Sequence, residues 1–230
     1  MSSGFSLIEI LVVLTISFTV LTVVITNITE GISVSNKVTS KQQVLESLFF
    51  TVDTIKSDLT KCGMRLQEAK KYFDLPLFNH SENSFKTTYG VASEFIKEDA
   101  FCDEESVKTG KNLFFKKGEK VLIYNLEEHK YELNQIKNVK GSSVILKEGL
   151  KNDYIHGSTA VILKESEFKL YKNQNILKRK TGKGYFQPLI EKVTDFYITY
   201  FPDANSVLYR IEVNNKEQVR GYIFLTNMVE

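Results

Sequence analysis

The sequence is poor in the residues that most often announce chemistry. Two cysteines (Cys62 and Cys102) and three histidines (His80, His129 and His156) show no metal-ligand spacing among themselves, so no metal and no cofactor are expected. There is no Gly-rich phosphate loop, no G-x-S-x-G elbow, no H-E-x-x-H and no Cys/His/Asn constellation, so no enzymatic activity is expected. Thirty Lys and Arg stand against 28 Asp and Glu, and a net charge of +2 points to neither nucleic acid nor acidic lipid. No proline precedes Pro76, which leaves the first third of the chain free to form one long helix. The charges that do occur are unevenly placed, and none falls between Ile10 and Ile28.

That uncharged run is 19 residues. At about 1.5 Å of rise per residue it extends roughly 28 Å, the thickness of a hydrocarbon core. It is unlike a secretory signal peptide, because no Lys or Arg precedes it, it is long, and it opens on an acid, Glu9. An ionisable group inside a membrane segment costs about 2.5–3.5 kcal/mol at the bilayer centre and less near an end, so Glu9 calls for a partner.

Gly4-Phe5-Ser6-Leu7-Ile8-Glu9, followed at once by the apolar run, resembles the type IV prepilin signature. The resemblance implies cleavage between Gly4 and Phe5 by a prepilin peptidase, N-methylation of Phe5, and retention of the helix. It also implies an assembly charge pair between Glu9 and the α-amino group of Phe5 on a neighbouring subunit. Unlike family leaders, Met1–Gly4 carries no Lys or Arg, and Lys37 and Lys41 would favour the opposite orientation by the positive-inside rule.

Beyond Gly31, expected as a flexible point, Leu45, Leu48, Val52, Ile55, Leu59, Cys62 and Leu66 recur at steps of three and four, with Lys56, Ser57, Asp58 and Lys61 on the other faces. Such a stripe packs on its own domain more often than on another helix. Residues 73–110 read as an irregular loop with an acidic group, Asp99, Asp103, Glu104 and Glu105, whose spacing is not that of an EF-hand. If the domain lies outside the cytoplasm, a Cys62–Cys102 disulfide would pin that loop. Two reduced, buried thiols are the alternative.

From residue 111 the period shortens towards two. Strands are expected at Leu113–Lys116, Lys120–Tyr124, Tyr131–Ile136, Ser143–Leu146, Ala160–Lys164, Phe168–Tyr171, Ile176–Arg179, Asp195–Phe201, Val207–Val213 and Gln218–Thr226, with turns at Gly141-Ser142 and Asn173–Asn175. The fold class is therefore α+β, a long N-terminal helix packed on a mostly antiparallel sheet domain. Its expected segments are a leader (1–4), a transmembrane and polymerisation helix (5–28), an amphipathic half-helix (29–72), the loop (73–110) and a β-rich extracytoplasmic domain (111–230).

Asp58-Leu59 ahead of Cys62-Gly63-Met64, together with Glu119–Tyr124, Phe168–Arg179, Gln187-Pro188-Leu189 and Val193–Tyr200, is similar in order and spacing to PilW-like minor pilins, with the J-type minor pseudopilins of type II secretion as the neighbouring group. The implied partners are other pilins or pseudopilins, the prepilin peptidase and an inner-membrane assembly platform. The implied location is a single-pass inner-membrane protein, its C-terminal domain outside the cytoplasm, later part of a pilus or pseudopilus. Two rival readings stand beside this one. One is DNA capture through Lys116-Lys117 and Lys178-Arg179-Lys180, near Tyr171, Tyr185 and Phe186. The other is an anchored enzyme or binding protein.

Overall fold

The computed structural model describes residues 7–110 and 114–228. The chain divides into two compact units, Met1–Phe49 and Phe50–Glu230. Every described residue of the first unit is helical, within helix α1 (Leu7–Lys61). Gly31 lies in uninterrupted helix rather than at a break, so the expected flexible point is not seen.

In the second unit, the end of α1 is closed by backbone chemistry. Gly63 takes a left-handed conformation (φ 75°), and a Cβ there would stand 2.6 Å from the Asn227 carbonyl oxygen. The long helix expected to reach Tyr72 therefore stops at Lys61, and a separate short helix, α2 (Gln67–Tyr72), follows. Val52, Ile55, Leu59, Cys62 and Leu66 of the apolar stripe are buried, as the spacing predicts.

All strand pairings are antiparallel. Among the described residues, nine strands form one sheet. They are β1 (Phe78–Ser81), β2 (Ser84–Phe95), β3 (Ser106–Lys108), β4 (Lys120–Asn125), β5 (Lys130–Lys140), β6 (Ser143–Leu146), β7 (Thr159–Tyr171), β8 (Ile176–Thr181) and β9 (Gln187–Glu191). The order runs β1-β2-β7-β4-β5-β6-β3, and β8 pairs with both β7 and β9. Strands β10 (Val193–Phe201), β11 (Ser206–Val213) and β12 (Glu217–Phe224) form a second sheet in that order. The fold is α+β. Both expected hairpin turns are present, between β5 and β6 and between β7 and β8.

Three expectations need correction. Residues 73–110 are not an irregular loop, because they hold β1, β2 and β3, and β2 pairs with β7 along eleven registered positions. The two strands expected at Ala160–Lys164 and Phe168–Tyr171 are one continuous strand, β7. Of Leu113–Lys116, the described residues 114–116 form no strand.

One part of the core gathers Ile96, Val107, Val121, Ile123, Ile136, Val144, Leu146, Tyr154 and Ile162. Another centres on Phe85, whose ring stacks on Phe168 (4.6 Å between centroids, 9° between planes) and lies 6.1 Å from Phe196.

Candidate functional site

Gly4 and Phe5, the expected cleavage and methylation positions, lie outside the described residues. Glu9 sits in the first turn of α1, where a carboxylate complements the partial positive charge of the helix N-terminus. The segment that follows is long and apolar enough to cross a membrane, and none of it is buried. Leu11, Ile16, Phe18, Leu21, Val24 and Ile28, on different faces, are all exposed.

The threonines of this segment satisfy their hydroxyls within it. Thr15, Thr19, Thr22 and Thr26 each donate a hydroxyl to the carbonyl four residues earlier, at 2.8–2.9 Å. Thr29 does the same to Ile25 at 2.6 Å. In hydrocarbon an unpaired hydroxyl is costly, so these back-bonds make the threonines compatible with lipid or with a helix bundle.

The last turns of α1, from Phe50 on, are tied to the β strands by polar contacts as well as by the apolar stripe. Asp58, expected off the apolar stripe, is buried as well, with 1% of its side chain exposed. Arg179 of β8 grips it with two hydrogen bonds of 2.8 Å, Nε to Oδ2 and Nη2 to Oδ1. The guanidinium also lies 5.8 Å from the Phe168 ring, and the Lys61 ammonium approaches Asp58 at 3.8 Å. A planar, two-pronged donor fixes orientation as well as distance, so the pair sets the register of the helix end on the sheet. Backbone bonds from Gly63 N to Thr88 O (3.0 Å) and from Gly90 N to Met64 O (2.8 Å) reinforce it.

The basic triplet is thereby divided. Arg179 points to the helix, while Lys178 lies 4.4 Å from the Tyr171 ring and donates to Gln174 at 2.8 Å. Sequence reasoning grouped these residues by adjacency. In a strand, neighbours face opposite sides, and that period could have separated them.

The expected Cys62–Cys102 disulfide is absent, and both thiols are free. The Cys62 thiol is buried and donates to the Leu77 carbonyl at 3.2 Å, whereas exposed Cys102 approaches the Lys151 carbonyl at 3.7 Å. The reason is β2. Gly63 bonds Thr88, on the first half of that strand, and Ile96, just past its end, bonds Ser158 on the side where Cys102 lies. Eight residues of extended chain separate those points by roughly 26 Å, and a disulfide needs its Cα atoms within about 7 Å. Burial pushes the Cys62 thiol up to about 12, against the pull of a backbone hydrogen bond from Thr88 and the charge of Lys70.

The acidic group closes its own loop. Asp99 accepts the His156 backbone N–H at 2.7 Å, Glu104 accepts that of Phe101 at 3.2 Å, and Glu105 pairs with Lys137 at 3.1 Å. His80, His129 and His156 are exposed. Among the described residues, no three His, Cys, Asp or Glu side chains are gathered as a metal site.

No protein-family model matches the chain, and no curated protein does. Among solved structures, it is similar over 34% of its length to the Gp54 tailspike of Acinetobacter baumannii bacteriophage AP22, solved in complex with A. baumannii capsular saccharide. The identity is 13%, the TM-score is 0.29, and the match spans 15% of the tailspike chain.

Proposed function

We propose that this chain is a membrane-anchored subunit of a helical filament, with its β-rich unit outside the cytoplasm. More particularly, it is a minor pilin or a minor pseudopilin of a type II secretion-like machine. The reading is carried by one observation, an acid in the first turn of α1 directly ahead of an uncharged, fully exposed apolar segment (Ile10–Ile28), and preceded in sequence by Gly4-Phe5.

The mechanism is helix-mediated polymerisation. The segment from Phe5 to about Ile28 passes from lipid into a bundle of like helices, exchanging one apolar environment for another at small net cost. Register in such a bundle needs a directional contact. The Glu9 carboxylate meeting the α-amino group of Phe5 on a neighbour supplies it, because either charge left unpaired in hydrocarbon is penalised. The β-rich unit then makes the contacts that decide which other subunits sit beside this one. Asp58 takes Arg179, which weighs against DNA capture by the intact triplet, while Lys178 and Lys180 lie beside the Tyr171 and Phe186 rings.

The test is the intact mass of the protein from its native cells, with and without prepilin peptidase. Loss of Met1–Gly4 and gain of one methyl group, both dependent on the peptidase, is the expected result; a mass unchanged by the peptidase would sink the reading. Glu9→Leu should abolish incorporation into filaments while leaving membrane insertion intact, since breaking a buried charge pair costs roughly 3–5 kcal/mol.

A further inference from the structure

Strand β7 changes partner part-way along one edge. Residues 159–163 pair with β4, and residues 166–171 pair with β8. At Lys164 and Glu165, between the two, no strand lies on that edge. The segment leading into β4 and the segment leaving β8 part there, opening a cleft of about 390 Å³. That volume is within the range of small-molecule sites.

The lining is strongly one-signed. Lys116, Lys117, Lys120, Lys164 and Lys183 meet two carboxylates, Glu119 and Glu165. The local excess of three positive charges exceeds the +2 of the whole chain. Both carboxylates are already engaged. Glu165 accepts from Lys120 at 2.8 Å and from Lys86 at 3.4 Å, and Glu119 accepts the Lys116 backbone N–H at 3.2 Å. Burial works to raise the Glu165 carboxyl, yet the Lys120 hydrogen bond and the charges of Lys86 and Lys120 hold it below the ordinary range, so it stays an anion answering those two lysines. Among the described residues, no carboxylate lies within 4 Å of the ammonium groups of Lys116, Lys117, Lys164 or Lys183.

The cleft is also built rather than incidental. Gly118 sits at φ 81°, a left-handed conformation that favours glycine, with the end of the Lys183 side chain packed against it. Gln135 fixes the turn by donating to the Gly118 carbonyl at 2.9 Å, and Leu163 contributes an apolar wall. Among the described residues, no aromatic ring lines the cleft, which gives a nucleobase no stacking platform there.

We propose that this cleft is a binding site for a multivalent oxyanion, a ligand or end group carrying clustered phosphates or carboxylates. Four lysines with no carboxylate within 4 Å line one half-enclosed cavity, and an oxyanion bound there accepts their hydrogen bonds and offsets their like charge. The site belongs to the β-rich unit alone and holds whether or not the chain polymerises.

The test is calorimetric titration of the full chain in an uncharged detergent, with pyrophosphate and with citrate as separate probes at constant ionic strength. Saturable one-to-one binding is expected. It should weaken at least tenfold in Lys164→Ala/Lys183→Ala and be unchanged in Lys172→Ala, which removes an exposed lysine outside the cleft. Pyrophosphate binding without citrate binding assigns the site to phosphates, and the converse assigns it to carboxylates. If neither probe saturates, or the double variant binds like the parent, the cleft is merely a solvated lysine cluster and the proposal fails. Lys183 is exposed and Lys164 half-buried, and an unchanged melting curve verifies that the variant is folded.

Discussion

The two units of this chain solve the same problem, satisfying polar groups away from water, in opposite ways. In the first, Thr15, Thr19, Thr22, Thr26 and Thr29 each bond a carbonyl four residues back, and the apolar side chains from Leu7 to Val38 turn outward. In the second, Asp58 is satisfied by Arg179, 121 positions away in sequence, and the apolar residues are closed inside. Local satisfaction needs no tertiary fold but leaves apolar surface that only lipid or another helix can cover. Long-range satisfaction yields a self-contained core and makes single residues indispensable. The difference predicts where substitutions will hurt.

The largest effect should come from Asp58→Ala, which leaves the Arg179 guanidinium partly buried without its partner. A loss of about 3–5 kcal/mol is expected in denaturant unfolding of the full chain in detergent. Replacing both members, as Asp58→Leu/Arg179→Met, should recover most of it. If the double variant is as unstable as the single one, the pair is not a simple two-body lock.

Next comes a matched pair of isoleucines. Ile55 is fully buried and Ile16 is 59% exposed. Ile55→Ala should cost about 2–5 kcal/mol by transfer and cavity formation. Ile16→Ala should change unfolding of the β-rich unit by less than about 0.5 kcal/mol, and its effect should instead appear in membrane partition. Equal effects on unfolding would erase the distinction between the units.

The same contrast explains what could be read from sequence. The apolar helix was legible because its signal is local, and most of the strands from β4 onward were legible because Val, Ile, Tyr and Phe alternate in them. Strand β2 was hidden by a bulge at Val91, which shifts the register between Gly90 and Ala92, and by buried threonines, Thr87 and Thr88, standing where apolar residues would be expected. The centre of β7 was hidden by Glu165 and Glu167, and Glu165 is tolerated only because Lys86 and Lys120 converge on it from neighbouring strands. The Asp58–Arg179 lock and the lysine cleft bring together residues far apart in sequence, so no local pattern marks either. Lys116-Lys117 was visible as a pair, but Lys164 and Lys183 join it only through the split in the sheet.

The two thiols carry the comparison inside the β-rich unit. At pH 8, an alkylating reagent should modify one thiol per native chain, Cys102, and the second only after unfolding. Two rapid modifications would mean that the end of α1 detaches readily. Alkali gives an independent check. The Cys62 thiol is raised from 9.0 to about 12, so the folded state holds that proton more tightly than the unfolded chain does. Its contribution is complete below pH 9 and is lost as pH rises from 9 to 12. Relative to Cys62→Ala, the parent should lose stability in that window alone.

The smallest effect, and the sharpest probe of the helix, is Gly31→Ala. Glycine disfavours a helix by about 0.5–1 kcal/mol relative to alanine, through backbone entropy. At this position the backbone is already helical, and a methyl group would meet nothing within 4 Å. If Gly31 is an ordinary helical residue, the substitution should raise helicity slightly and leave filament incorporation unchanged. If instead the helix must bend there as the subunit leaves the membrane, alanine will stiffen that point and assembly will fall although folding improves. Circular dichroism and filament yield, measured on the same variant, separate the two, because only a required bend makes them move in opposite directions.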